Sequence, residues 1–517
     1  MNWFKKNTLP FYPYLLALNS VILPFSDNSN ELPLIQIVRP MIISIVMVVI
    51  ITIVAYFLTK DIHRGALVST PFLFLIFYFG YISVNRKLTI IWSVIILVFL
   101  LINLIRWIHF SKIALLTKFL NVISIFMFIV PGVLICKSVI NISLFETFDT
   151  RLIDTNGKPV TIPTNVNTKP DIYYIIVDGY TRSDILQDYF DADNSDFIQF
   201  LQDKGFYIAS QSQSNYMQTA LSLTSSLNMK YIEFDSGMSR VDNKVILIDA
   251  IHHSRLRQVL ESLGYSTVVI SSGWLFTDIR DARIYQSPYP RAPMYFENYW
   301  LGKTAFPVID NIVDINIPLP SYDTHREYIS HSLTALSQSA NLAGPKLVFT
   351  HIMAPHPPFV FDDHGQPINP EYPYFLGDAN GFPGSRSEYK TGYTNELIYL
   401  NKQLELMLTN IFNHSDTEPI IILQADHGSG VYTNWESEKS TCLKERFSIL
   451  NAIYLPLGGE KALYPTLSPV NTFRIILDYY FGTQLGLYPD LHYFSTRSHP
   501  YKFIDVTDRS ENICQIP

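Results

Sequence analysis

The chain has 517 residues, 48% of them apolar and 16% charged, with a formal net charge of -7. That length suits two or three domains, and an acidic balance without a basic stripe in the later part argues against a nucleic-acid binder. The three cysteines, Cys136, Cys442 and Cys514, have no zinc-type spacing. Cys136 lies in an apolar run, while Cys442 and Cys514 can pair in an oxidising compartment, a point that spacing alone leaves open.

Apolar residues concentrate in the first quarter, which describes a membrane protein with a globular part attached. Five apolar segments fall at roughly 9–25, 41–59, 66–84, 88–106 and 119–140, each near the ~20 residues needed to cross a bilayer. Pro10, Pro13 and Pro24 make the first the weakest; a cleaved signal peptide is its competing reading, but it lacks a small-x-small cleavage site and four segments follow. Lys5, Lys6, Lys60, Arg64, Arg106, Lys112 and Lys118 flank one side, against Arg39, Arg86 and Lys87 on the other. By the positive-inside rule the N-terminus is cytoplasmic, and after five crossings everything beyond about residue 140 is outside. The expected division is a five-helix transmembrane bundle over 1–142, a juxtamembrane linker over 143–170 punctuated by Gly157, Pro159, Pro163 and Pro170, and an extracytoplasmic catalytic domain over 171–517.

Beyond the linker, apolar runs at 172–177, 267–270, 346–351, 420–424 and 449–455 alternate with helix-like stretches at 183–204, 254–263, 326–339 and 391–411. Such alternation implies an α/β domain, a mostly parallel sheet sandwiched by helices, whose ligand site lies at the carboxyl ends of the strands. The first run ends IIVDGY and delivers Asp178. LVFTHIMAPHPPF brings His351 to a strand end and His356 to the loop after it, and IIILQADHGSG delivers Asp426 and His427. Acids and imidazoles converging on one sheet edge predict a metal site. The polar run from Ser210 passes into a helical pattern at Ala220, which places Thr219 at a helix N-cap, where a metal-bound hydroxyl becomes a nucleophile. Capping alone also explains a threonine there. His252, His253 and His414 read as surface residues. The aromatic cluster from Tyr285 to Tyr299 reads either as a lipid-facing groove or as packing.

At these residues the chain resembles the sulfatase-like branch of the alkaline phosphatase superfamily, and in architecture the membrane-anchored lipoteichoic acid synthases and lipid A phosphoethanolamine transferases. The resemblance implies metal ligation by Asp178, Thr219, Asp426 and His427, with Thr219-Ala220-Leu221-Ser222 carrying the nucleophile and His356-Pro357-Pro358-Phe359 a substrate-phosphate ligand. Two departures stand out. No Cys-x-Pro-x-Arg motif or serine equivalent exists for formylglycine chemistry, and Ser429 follows Asp426-His427-Gly428 where the transferases usually show Glu. No His lies between Gly428 and Ile449, so a single ion is expected, with Arg446 or Lys444 supplying positive charge at the substrate.

The expected reaction is transfer of a phosphoryl-linked headgroup from a membrane phospholipid to an envelope glycan or lipid. It would occur at a bacterial inner membrane, with the catalytic domain periplasmic. One divalent ion is expected, zinc or manganese before magnesium or calcium, given the nitrogen ligand. The alternatives are hydrolysis of a sulfuric or phosphoric ester on the same scaffold, and a non-catalytic envelope protein.

Overall fold

The computed structural model describes residues 8–82, 110–143, 151–163, 168–233, 243–313 and 316–514. Helix α1 (Tyr12–Asp27) opens with a proline in its first turn and contains Pro24. Proline suits a first turn because the missing N–H has no helical partner there. At roughly 1.5 Å per residue, its 16 residues fall short of a bilayer core. Helices α2 (Val38–Thr59), α3 (Ile62–Ile82) and α4 (Phe110–Ser143) are longer. Among the described residues, three stretches are long and apolar enough to cross a membrane: Leu34–Thr59, Ile62–Tyr81 and Lys112–Ile140. Only 17% of the first and third is buried, and helices apolar all round with so little burial need an apolar solvent. The expected segment at 88–106 lies outside the described residues.

The chain then runs β1 (Ile172–Val177), α5 (Ser183–Phe190), α6 (Ser195–Asp203), β2 (Tyr207–Ile208), α7 (Thr219–Asn228), α8 (Val245–His252), α9 (Arg255–Ser262), β3 (Ser266–Ile270) and β4 (Ile284–Gln286). Next come α10 (Tyr295–Gly302), α11 (Phe306–Val313), α12 (Tyr322–Ser339), β5 (Lys346–Ile352), α13 (Arg386–His414) and β6 (Ile420–Gln424). The last elements are α14 (Leu443–Phe447), β7 (Asn451–Tyr454), α15 (Pro469–Phe481) and the small hairpin β8 (Tyr493–Phe494) with β9 (Ile504–Asp505). Two compact units result. One contains residues 1–145, 243–245 and 291–319, and therefore α10 and α11; the other contains 146–242, 246–290 and 320–517.

The second unit is built on a seven-stranded sheet of order β2-β7-β6-β1-β5-β3-β4. The run β6-β1-β5-β3-β4 is parallel, and β7 and β2 close one edge antiparallel. Every residue of β1, β5 and β6 is buried. Helices covering both faces of a parallel sheet require just that, so these strands read as unbroken apolar runs.

Three details go beyond the expectation. The helical pattern over 183–204 is two helices, because Asp191 takes a left-handed conformation with φ 53° and Asp193 accepts the Ser195 N–H to start α6; Asp in such positions bonds its own backbone. β7, whose direction the expected mostly parallel sheet leaves open, runs antiparallel to β6. β2 and β4 have two and three residues, too few to show a periodicity.

Candidate active site

Parallel pairing sets Ile176 of β1 opposite His351 of β5 and Gln424 of β6. Two residues beyond that level, Asp178 and Asp426 emerge side by side from adjacent strands. Asp178 is held by its N–H to Ile352 O at 2.9 Å, and Asp426 Oδ1 accepts the Gly179 N–H at 3.1 Å. The turn into His427 is tight. Gly428 donates to Arg446 O at 2.7 Å, and a Cβ on it would lie 2.0 Å from Glu445 O, so only glycine fits.

His351 Nε2 stands 3.1 Å from Asp178 Oδ2, with its Nδ1 3.2 Å from Thr277 Oγ1. His427 Nδ1 lies 2.9 Å from Gly428 O. A carbonyl only accepts, so that nitrogen carries the proton and Nε2 the lone pair. The lone pair meets Asp426 Oδ2 at 3.2 Å, Asp178 Oδ1 at 3.5 Å and Thr219 Oγ1 at 3.0 Å. Asp178 Oδ1, Asp426 Oδ2 and His351 Nε2 are buried without hydrogen-bond partners. One ligand atom from each of Asp178, His351 and Asp426 lies within 4.8 Å of the others. Two buried carboxylates and imidazole lone pairs turned on one another are costly unless a cation sits between them. Oxygen and nitrogen donors so gathered fit a divalent ion, and this buried group is a candidate metal site.

Electrostatics agree with that geometry. Burial pushes the Asp178 carboxyl up, but His356, His351 and His427 outweigh it and hold it well below the usual carboxylate range. Burial, then Arg446, lowers His427, leaving the neutral ring that ligation requires.

Thr219 is half-buried beside this buried group. It is the first residue of α7, whose N-cap is Gln218, one position before the cap expected for Thr219. Gln218 is anchored by its amide to Ser495 and to Thr496 O. The Thr219 hydroxyl is turned toward His427, 3.0 Å from its Nε2.

Residues 170–471 match the family model Sulfatase. The chain belongs to the sulfatase family. It is thus a sulfatase-family enzyme. Solved structures similar to it include the C-terminal periplasmic domain of EcEptC from Escherichia coli in complex with Zn, at 12% identity over 68% of this chain and 95% of that one, TM-score 0.45. The C-terminal periplasmic domain of phosphoethanolamine transferase EptC from Campylobacter jejuni is similar at 14% identity over 62% and 92%, TM-score 0.37. The soluble domain of lipooligosaccharide phosphoethanolamine transferase A from Neisseria meningitidis is similar at 12% identity over 62% and 90%, TM-score 0.35. No curated protein matches the sequence.

Around the buried group of Asp178, His351 and Asp426 stand further residues, some of them, such as Asp378 and Glu445, with no signal in the sequence. Asp378, from a loop, pairs with Arg446 Nη1 at 2.7 Å and accepts the Tyr389 hydroxyl at 2.7 Å. Arg446 is buried. It donates from Nε to Met217 O and from Nη1 to Gly428 O, and its guanidinium lies 4.8 Å from the Trp435 ring centre. It thereby ties the chain leading to Thr219 to the loop following His427. Lys444 points elsewhere, toward Asp184 and Asp188. Glu445 accepts from Ser429 Oγ and the N–H groups of Val431 and Tyr432, so Ser429 meets an acid supplied by α14.

His356 is half-buried, its Nδ1 2.6 Å from Pro357 O, and it is among the groups that lower the Asp178 and Asp378 carboxyls. His325 on α12 leaves no signal in the sequence; burial and the neighbouring His356 push it down to about 3. His351 is legible as a strand end on the expected metal edge, but it is not among the ligands that the resemblance implies. Cys442 and Cys514 form a disulfide with Cα atoms 5.3 Å apart.

Proposed function

We propose that this sulfatase-family enzyme transfers a phosphoryl-linked headgroup from a membrane phospholipid to an envelope glycan or lipid, with Thr219 as nucleophile. The observation that carries the reading is the half-buried Thr219 hydroxyl at the start of α7, 3.0 Å from His427 Nε2, beside the buried Asp178, His351 and Asp426 group. Thr219, Asp178, Asp426 and His427 would hold a divalent ion, joined by His351 of the same buried group; zinc or manganese suits this mix of carboxylate and imidazole. When bound, the ion supplies Lewis-acid charge to the hydroxyl and to phosphate oxygens.

Thr219 Oγ1 then forms the bond to phosphorus as the lipid's hydroxyl leaves, and the acceptor's hydroxyl later displaces Thr219. His356 and the positive N-terminal end of α7 face the developing charge. Arg446 is a weaker candidate for contact with substrate, since its Nε and Nη1 already serve Met217, Gly428 and Asp378.

The membrane part of this reading is a multi-pass bundle over 1–142 with about five helices, a linker over 143–170, and the catalytic part from 171 in a bacterial periplasm. Three described spans and a disulfide suited to an oxidising compartment support it. Attachment of the catalytic chain to a membrane bundle suits a lipid donor.

The experiment supplies phospholipid labelled in its headgroup to the full chain in vesicles with an envelope acceptor fraction. Label should enter the acceptor fraction with the native chain and fall to background with Thr219→Ala, while metal binding persists. Full transfer by that variant would overturn the assignment. Label released only as free headgroup would instead establish the hydrolytic alternative, which the Sulfatase family match keeps in play.

A further inference from the structure

Residues 291–319 interrupt the catalytic unit in sequence yet pack with the membrane-spanning helices. Their attachment is specific. Gly80, near the end of α3, donates its N–H to Lys303 O at 2.9 Å, and Ala305 donates to Ile76 O at 2.7 Å. A Cβ on Gly80 would lie 2.8 Å from the Lys303 Cα, so the close approach depends on glycine. From α10, Trp300 is buried with its ring 6.0 Å from Phe77 and its Nε1 donating to Ser20 Oγ. Phe296 packs edge-on against Phe25 at 5.2 Å. The pair α10–α11 is thereby fixed to the last turns of a span.

The outward side is unlike a water-facing surface. α11 reads FPVIDNIV, but none of its described side chains is buried, and Ile312 and Val313 are 75% and 61% exposed. Its one acid, Asp310, accepts the Ile317 N–H. In α10 Glu297 is buried and paired with Arg39, so of the two acids only Asp310, bonded to a backbone N–H, leaves a charge on this side. What projects is a cation between rings: Lys303 Nζ lies 5.7 Å from the Tyr81 ring centre and 5.5 Å from that of Tyr299. Both rings are exposed. Tyrosines and a lysine at the end of a span, continuous with its exposed apolar face, form the belt that sits at a lipid headgroup layer.

We propose that α10–α11 is an interfacial element, seated in the headgroup layer of the phospholipid bilayer, with Ile312 and Val313 reaching the acyl boundary and Lys303 on lipid phosphate. This segment would stand at the level where phospholipid headgroups lie. The inference rests on the membrane-spanning reading of α2–α4 and not on the transfer chemistry.

The test uses the full chain carrying Cys136→Ser, in vesicles of phosphatidylethanolamine and phosphatidylglycerol, with a nitroxide at Val313→Cys. Collision with oxygen, which concentrates in lipid, is compared with collision with a water-soluble nickel chelate. Reference labels are placed at Leu406→Cys on α13 and Val54→Cys on α2, both exposed in the fold. The oxygen-to-nickel ratio at Val313 should exceed that at Leu406 severalfold and approach that at Val54. A ratio equal to that at Leu406 would overturn the proposal, as would spin–spin broadening that vanishes on dilution with unlabelled chain, since a second copy would then cover the face. Ile312→Cys repeats the measurement if Val313→Cys does not fold. The result should be the same with Thr219→Ala, so its failure and that of the proposed reaction fall on different measurements.

Discussion

Asp378 and Arg446, 68 positions apart in sequence, meet at 2.7 Å in a fully buried ion pair. The pair sits where the chain before Thr219 and the loop after His427 approach, since Arg446 also donates to Met217 O and Gly428 O. Burial pushes the Asp378 carboxyl up, but Arg446, His356 and His427 outweigh it and hold it below its ordinary value. Removing one partner leaves an uncompensated buried charge, which costs roughly 3–5 kcal/mol. Arg446→Leu should therefore lower thermal stability of the full chain by that order, and the double variant with Asp378→Leu should recover part of the loss. Unfolding curves in detergent check both.

His351 is oriented by Thr277, whose Oγ1 lies 3.2 Å from its Nδ1 and 3.0 Å from Ser272 Oγ. Groups that orient a metal-facing imidazole typically contribute roughly 10–100-fold to affinity. Thr277→Val should weaken zinc or manganese binding by about that factor while leaving the melting temperature of the metal-free chain nearly unchanged. Calorimetric metal titration reads the first effect and unfolding the second.

Glu396 on α13 is buried and accepts the Val360 N–H at 3.0 Å through Oε1, while its Oε2 has no partner. Burial pushes its carboxyl up to about 8, from an ordinary 4.5. A carboxyl with a raised folded pKa contributes fully below the unfolded value, and that contribution is lost as pH rises through the folded one. Stability should thus fall between about pH 4.5 and 8, by about 1.4 kcal/mol for each pH unit in that window. Glu396→Gln should flatten that slope and make the chain more stable than the native one at about pH 8, read from melting temperatures across the range.

The disulfide between Cys442 and Cys514 closes a loop of 72 residues and joins the start of α14 to the end of the chain. The chain-entropy model assigns such a loop about 4 kcal/mol. Cys514→Ser should lower the denaturation midpoint accordingly. Because α14 carries Glu445 and Arg446, the loss should also show as faster hydrogen exchange over residues 428–432.

The strands and their polar tips were legible because central strands of a covered parallel sheet bury both faces and show as unbroken apolar runs. Asp178, Asp426 and His427 end two such runs, and sequence alone was enough to place them at one edge. The break at Asp191 and the tiny edge strands were not legible, since a left-handed turn or a two-residue bridge leaves no periodicity. Thr219 was recognised as a helix start, but helix propensity does not say which way a first-turn hydroxyl faces.

Sequence by itself thus determined the class of molecule: apolar runs long enough to span a bilayer, an α/β domain, and acids and imidazoles on its strand ends, all properties of local pattern. Only the tertiary structure decided which groups meet. The aim of Thr219 Oγ1 at His427, the approach of His351 to Asp178, the Asp378–Arg446 pair and the attachment of residues 291–319 to α1 and α3 all join positions far apart in the chain. Such contacts follow from register, from loop path and from the packing of buried charges, none of which leaves a pattern along the sequence.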